Sequence, residues 1–157
     1  MRSWVVAVAF VLVCELAGGL GALTTQTGTS TWYRELAKPV FQPPSWVFGP
    51  VWTLLYALMG IAAWRVWRRG TQHPAVRRAL GLFVAQLVLN AVWSPVFFGA
   101  HEIGLALAIL AALWLVLVGT IRAFGKLDRP AAWLLTPYLA WVTFALVLNA
   151  TLLHLNP

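Results

Sequence analysis

The sequence predicts an all-α membrane protein, a bundle of five transmembrane helices with a long structured first loop. Three observations predict it. Hydrophobic residues fill 61% of the 157 positions and charged residues only 10%, whereas a soluble domain carries about 25% charged residues. Apolar runs long enough to cross a bilayer, about 20 residues each, occur five times, at 4–23, 46–67, 79–99, 103–124 and 131–153. The one long stretch between them, 24–45, is rigid and aromatic instead of Gly/Ser-rich. A membrane barrel would instead show strands of about 10 residues with alternating polarity. The length suits one domain spanning 1–157.

Span one, "MRSWVVAVAFVLVCELAGGLGA", starts like a signal peptide, with a basic residue before an apolar run. Glu15 interrupts that run, four similar segments follow, and no small residue directly precedes Cys14. A retained helix is therefore expected. Glu15 reads either as a proton or substrate contact, or as an acid kept neutral or hydrogen-bonded to a neighbouring helix. The second is favoured, because no cation lies at matching depth. The "AGGLGA" that follows is a small-residue packing face.

In the long loop, 30–38 can form a short helix closed off by Pro39, and "QPP" then fixes an extended segment. With Trp32, Tyr33, Phe41 and Trp46 on it, this loop reads as a lid. Ser45 or a neighbour starts span two, with Pro50 tolerated in its first turn. Spans three and four are a tight antiparallel pair joined by 100–102, and 125–130 is a short connection to span five. Pro95 and Pro137 are expected to bend their helices. Gly81 with Ala85, and Gly104 with Ala108 and Ala112, are further small-residue pairs. The first pair suggests a homodimer through span three.

Charge sets direction. Arg2, Arg65, Arg68, Arg69, Arg77, Arg78, Arg122, Lys126 and Arg129 fall on one side, and Arg34 and Lys38 on the other. This bias puts the N-terminus inside and the C-terminus outside. The net charge of +7 is thus a topology signal and a contact for anionic membrane lipid, not a nucleic-acid footprint. Trp4, Trp64, Trp67 and Trp133 fall at the inner boundary as interface anchors. Cys14 alone excludes an intramolecular disulfide. His73 and His101 in connections and His154 near the end cannot form an intramembrane metal site, so no metal is expected.

Interface anchoring does not explain Trp52, Trp93 or Trp141. Trp52 and Trp93 sit about 9 Å below the outer ends of their spans, and Trp141 near the middle of its own. Gln86, Asn90, Trp93 and Phe97 share one face of span three. Tyr138, Trp141, Ala145 and Asn149 form a stripe on span five, and Trp52, Tyr56 and Met59 one on span two. An amide facing lipid is costly, so Gln86, Asn90 and Asn149 should face inward and bring these rings with them. The stripes are either plain core or the walls of a flat apolar pocket beneath the lid.

"WYRELAKPVFQPPSWVFGPVWTLLYALMGIAAW", "QLVLNAVWSPVFFG" and "PYLAWVTFALVLN" resemble the TspO/MBR family of tryptophan-rich sensory proteins and translocator proteins (peripheral benzodiazepine receptors). The W-Y, K-P, P-P, W-x-x-L-Y, N-x-x-W and P-Y-x-x-W elements occur in order, over nearly the whole chain. The resemblance implies a five-helix bundle, commonly dimeric, with a ligand pocket under the first loop. It implies protoporphyrin or a related tetrapyrrole as ligand, with isoquinoline carboxamide and benzodiazepine drugs in the same cavity and no required cofactor. Tyr33, Trp52, Asn90, Trp93, Trp141 and Asn149 match pocket positions, and Tyr138 lies on the span-five stripe. Trp52 and Trp141 match the pair linked to porphyrin breakdown in some bacterial members. Sterol-binding members carry a tyrosine and an arginine where this chain has Ala150 and His154, which disfavours cholesterol.

The leading expectation is a membrane tetrapyrrole-binding protein, bacterial in type, that senses porphyrin or degrades it in light and oxygen. The alternatives are a transporter of porphyrin, sterol or lipid, and a membrane regulatory module acting on a partner through its basic loops.

Overall fold

The computed structural model describes residues 3–25 and 31–157. Arg2 and Ser30, which entered the charge count and the expected lid helix, lie outside the described residues. Among the described residues, seven α-helices and one π-helical segment follow in order: α1 Ser3–Ala22, α2 Thr31–Glu35, α3 Ser45–Trp67, α4 Pro74–Ser94, the π segment Pro95–Gly99, α5 Ile103–Leu127, α6 Arg129–Leu134 and α7 Thr136–Leu155. Five spans result, with α4 plus the π segment forming the third and α6 plus α7 the fifth. The protein is a multi-pass membrane protein.

The exterior is apolar because its solvent is lipid. Leu16, Leu20, Leu54, Val84, Leu115 and Val147 are all exposed, and a helix satisfies its backbone internally so such a face costs nothing in a bilayer. Association between helices then rests on close approach. A Cβ on Gly60 would lie 2.5 Å from the Cα of Val11, so α1 and α3 pack backbone to backbone there. A Cβ on Gly18 would lie 2.1 Å from Cε2 of Tyr56, so this glycine makes room for a ring. α1 also packs on α4, α4 on α5, α5 on α7 and α6, and α3 on α6, which closes the bundle. Met59, Ala62, Ala63 and Val66 of α3 and Leu113, Leu117 and Phe124 of α5 belong to one buried core.

Several boundaries differ from expectation. Span three begins at Pro74, five residues earlier than its apolar run, because Pro74 starts the helix where its missing N–H costs nothing. The expected connection 125–130 shrinks to Asp128 alone. α5 runs on to Leu127, and Asp128 caps α6 by accepting from the Ala131 N–H at 3.1 Å. Pro50 lies in the second turn of α3, not the first, and leaves the Trp46 carbonyl without its helical donor. Span five breaks at Leu135, with Pro137 in the first turn of α7. The lid helix is shorter than expected and ends at Glu35.

At the basic end, Asp128 also accepts from Arg65 Nε at 2.6 Å and from Arg69. Burial opposes ionisation of this carboxyl, but the hydrogen bonds from Arg65, Arg69 and the Ala131 N–H and the Arg65 charge outweigh it, holding its pKa down at about 2.

Candidate functional site

At the opposite end the lid is fastened at four places. The Ala37 N–H donates to Asn156 Oδ1 at 2.9 Å, and Asn156 Nδ2 donates back to the Ala37 carbonyl at 3.0 Å. Trp32 stacks on His101 with centroids 4.2 Å apart, and Phe41 meets Phe144 edge-on at 6.3 Å. Tyr33 is buried against Phe97 and Phe98, 6.2 and 5.3 Å between centroids. Gln42 Nε2 donates to the Tyr33 hydroxyl and Lys38 Nζ sits 4.9 Å over its ring. Burial pushes the Tyr33 pKa up, and the Gln42 hydrogen bond opposes the rise.

The π segment explains how two consecutive phenylalanines both point inward. Pro95 offers no N–H, and the backbone widens to a π turn, with the Ala100 N–H reaching the Pro95 carbonyl at 2.9 Å. Phe97 and Phe98 are both buried as a result. Phe97 stacks on Trp93 at 5.3 Å.

Beneath the lid lies a cavity of about 60 Å³ whose walls are almost wholly apolar. Tyr33, Trp52, Asn90, Trp93, Trp141 and Asn149 all line it, so six of the seven residues picked from sequence come together. Tyr138 is not among the lining residues. It is fully buried behind the wall, its ring 6.3 Å from that of Trp52. Sequence reading did not pick several other wall residues, Phe48, Phe98, Leu110 and Phe144 among them. Phe144 stands one turn from Trp141, the one periodic signal that pointed to it.

The amides position rings and have few polar atoms left over. Asn90 Oδ1 accepts from the Tyr56 hydroxyl at 2.9 Å, and Asn90 Nδ2 donates to the Tyr138 hydroxyl at 2.6 Å. That hydroxyl donates onward to Gln86 Oε1 at 2.9 Å. Asn149 Oδ1 accepts from Trp93 Nε1 at 3.1 Å, while Asn149 Nδ2 donates to the Ile103 carbonyl at 3.1 Å. These bonds fix Trp93 from α4 to α7, and Tyr56 of α3 and Tyr138 of α7 to α4. Trp52 stacks on Tyr56 at 5.5 Å and meets Trp141 edge-on at 6.3 Å. Trp141 Nε1 differs from these groups. It is buried with no hydrogen-bond partner among the described residues, although a buried polar group normally has one.

A second cavity, of about 400 Å³, lies between α1, α3 and α4. Phe48, Trp52, Asn90 and Trp93 line both spaces, so they form the partition between the two.

Fold and site together define a five-span helical membrane protein with an aromatic cavity closed by an ordered lid. The TspO/MBR family model matches residues 10–155, and the chain belongs to that family. It is 41% identical to the tryptophan-rich protein TspO of Chlorobaculum tepidum, over 92% of each chain. It is 42% identical to the translocator protein of Bos taurus, over 93% of this chain and 87% of that one. To the tryptophan-rich sensory protein of Cereibacter sphaeroides it is 40% identical, over 98% of this chain and 93% of that one.

Proposed function

We propose that this chain binds protoporphyrin IX or a related tetrapyrrole in the cavity beneath the lid, and acts in porphyrin sensing, regulation or light-dependent degradation. The observation that carries this reading is the Trp141 indole N–H, buried and unpaired on an aromatic wall. A flat macrocycle stacks on indole and phenol faces, and a pyrrole nitrogen or carboxylate can accept the Trp141 proton. Asn90 and Asn149 then act through the rings they hold. The name of the Cereibacter relative, a sensory protein, supports a signalling role.

Ligand sites of this kind occupy about 300–1,000 Å³, so the present cavity is a closed form. Binding requires the lid contacts to part. Isoquinoline carboxamide and benzodiazepine drugs compete for the same wall. Cholesterol binds more weakly, since Ala150 is exposed and offers neither ring nor hydroxyl.

The test is a titration of the detergent-solubilised protein with protoporphyrin IX, haem and cholesterol, read by tryptophan fluorescence. Saturable quenching by protoporphyrin at micromolar concentration, with cholesterol at least tenfold weaker, is expected. Absence of quenching, or equal affinities for protoporphyrin and cholesterol, overturns the reading.

A further inference from the structure

The larger cavity contains the one acid that sits well inside a span. Glu15 of α1 lines it, about 10 Å below the end of that helix at Ala22. Ser45, exposed at the rim, leaves its hydroxyl free among the described residues, but the polar groups deeper in the wall are already engaged. The Tyr56 hydroxyl donates to Asn90, Thr53 Oγ1 donates to the Gly49 carbonyl at 3.0 Å, and Ser94 Oγ donates to the Gly21 carbonyl at 2.9 Å. Glu15 makes no hydrogen bond and no ion pair with any described residue, so of the two expected forms, kept neutral or bonded to a neighbouring helix, the bonded one is absent among them. A half-buried carboxylate facing a roomy space without a partner calls for a donor from outside the chain.

The cavity is also open to the side. Gly19 of α1 and Gly49 of α3 line it, are exposed, and would place a Cβ where nothing lies within 4 Å. The gap between these two helices therefore faces the bilayer. Phe48, Trp52 and Trp93 supply an aromatic back wall, which favours a cation as well as an apolar body.

We propose that the cavity between α1, α3 and α4 is a second ligand site, for a lipophilic primary amine that arrives from the membrane and pairs its ammonium with Glu15. The charge-assisted bond to the carboxylate is the strong term, and the aromatic wall takes the hydrocarbon. A metal ion does not fit, because one carboxylate is too few ligands for a hard cation. An aminophospholipid headgroup fits less well than a free amine, since its phosphate would enter with the ammonium and no described cation lines this cavity. This site goes beyond the tetrapyrrole reading and does not depend on it: Phe48, Trp52, Asn90 and Trp93 border both cavities, but Glu15 lines only this one.

The test uses the full chain in phosphatidylcholine nanodiscs, with isotope-labelled tryptophan and adamantyl amine as probe. Saturable shifts of the Trp52 and Trp93 indole signals are expected, with a Kd on the order of 1 mM or below. Adamantanol, the neutral isostere, should bind at least tenfold more weakly. Glu15→Gln should weaken the amine at least tenfold and leave adamantanol within twofold, while Glu15→Asp should hold the amine within fivefold. Protoporphyrin titration of the same variants should be unchanged, which separates this site from the one under the lid. Equal affinity of the wild type for amine and alcohol overturns the proposal even if Glu15→Gln fails to fold, as does a Glu15→Gln variant that binds the amine like wild type. Displacement of the probe by added phosphatidylethanolamine overturns the free-amine assignment and gives the carboxylate to a lipid headgroup.

Discussion

The Asp128 carboxylate ties Arg65 of α3 and Arg69, in the turn just past that helix, to the first turn of α6, so one side chain both caps a helix and joins two spans. Its pKa is depressed in the folded protein, from 3.8 to about 2. The stabilisation is therefore complete above about pH 4 and is lost as pH falls through about 2. Asp128→Asn keeps an acceptor for the Ala131 N–H but loses the charge. We expect it to destabilise by about 1–3 kcal/mol, between the values of exposed and buried pairs, because both arginines are partly exposed. Asp128→Ala should cost about 1 kcal/mol more by removing the cap. Thermal melts in detergent at neutral pH check both, and equal melting for the two variants would mean that the cap contributes nothing. The proposed pigment chemistry is tested at Trp141. Trp141→Phe keeps a flat ring but is a poorer electron donor and loses the N–H. Under illumination in air it should slow bleaching of bound protoporphyrin far more than it weakens binding. Trp114→Phe, whose indole bonds Thr143 on the far side of α5 and α7, should alter neither. If both variants bleach like wild type, only the binding role survives. Six cavity residues were legible because an amide cannot face lipid and carries its helical face inward with it. That Asn90 is saturated by Tyr56 and Tyr138 was not legible, since those partners stand 34 and 48 residues away. Asp128 escaped notice because it was read as part of a six-residue connection.

Helices in lipid are held by how near their axes approach, and glycine sets that distance where no side chain fits. At Gly60 the obstacle is the Val11 backbone, with the nearest atoms 2.5 and 2.7 Å from a Cβ. A backbone cannot swing aside as a side chain can, so Gly60→Ala must push α1 off α3. We expect a loss of about 1–3 kcal/mol, the usual cost of overpacking. Gly119→Ala on α5 meets nothing within 4 Å and should be neutral, or gain up to about 1 kcal/mol from helix propensity. Melting curves of the two variants side by side decide this. If Gly60→Ala melts like Gly119→Ala, the close approach of α1 and α3 is not a source of stability. The spans themselves were readable from hydropathy, because a bilayer demands a run of fixed length. Their ends were less readable. Hydropathy sees apolar residues, whereas helix starts are set by Pro74 and by the Asp128 cap, both in polar sequence. The π segment was announced by Pro95 only as a bend. The inward placement of both Phe97 and Phe98 needs the wider turn itself.

The whole bundle has two unlike ends, and this asymmetry carries its orientation. Arg65, Arg68, Arg69, Arg77, Arg78, Arg122, Lys126 and Arg129 cluster at the end away from the lid, which alone holds Arg34 and Lys38. The bias predicts that end in the cytoplasm. Cys14 is buried, so single cysteines can be added without removing it. A cysteine at exposed Thr71 should be labelled only from the cytoplasmic side, and one at Val40, fully exposed on the lid, only from outside. The reverse pattern would invert the topology. The same scale governs assembly. Gly81, Val84, Ala85, Val88 and Val92 form one exposed stripe along α4, and a Cβ on Gly81 would meet nothing within 4 Å. Within one copy, then, Gly81 packs against nothing, unlike Gly18 and Gly60. In lipid, apolarity alone gives helices no reason to associate, but a strip of small side chains lets a second backbone come close. We therefore expect a homodimer through this face of α4. Gly81→Leu fills the strip without touching the interior, so its melting temperature as a monomer should hold while its mass in detergent falls toward one chain. Light scattering across a protein dilution series measures that mass. A variant that stays dimeric at every dilution rejects the α4 interface, and one that also melts early shows that Gly81 serves the fold of the single chain instead.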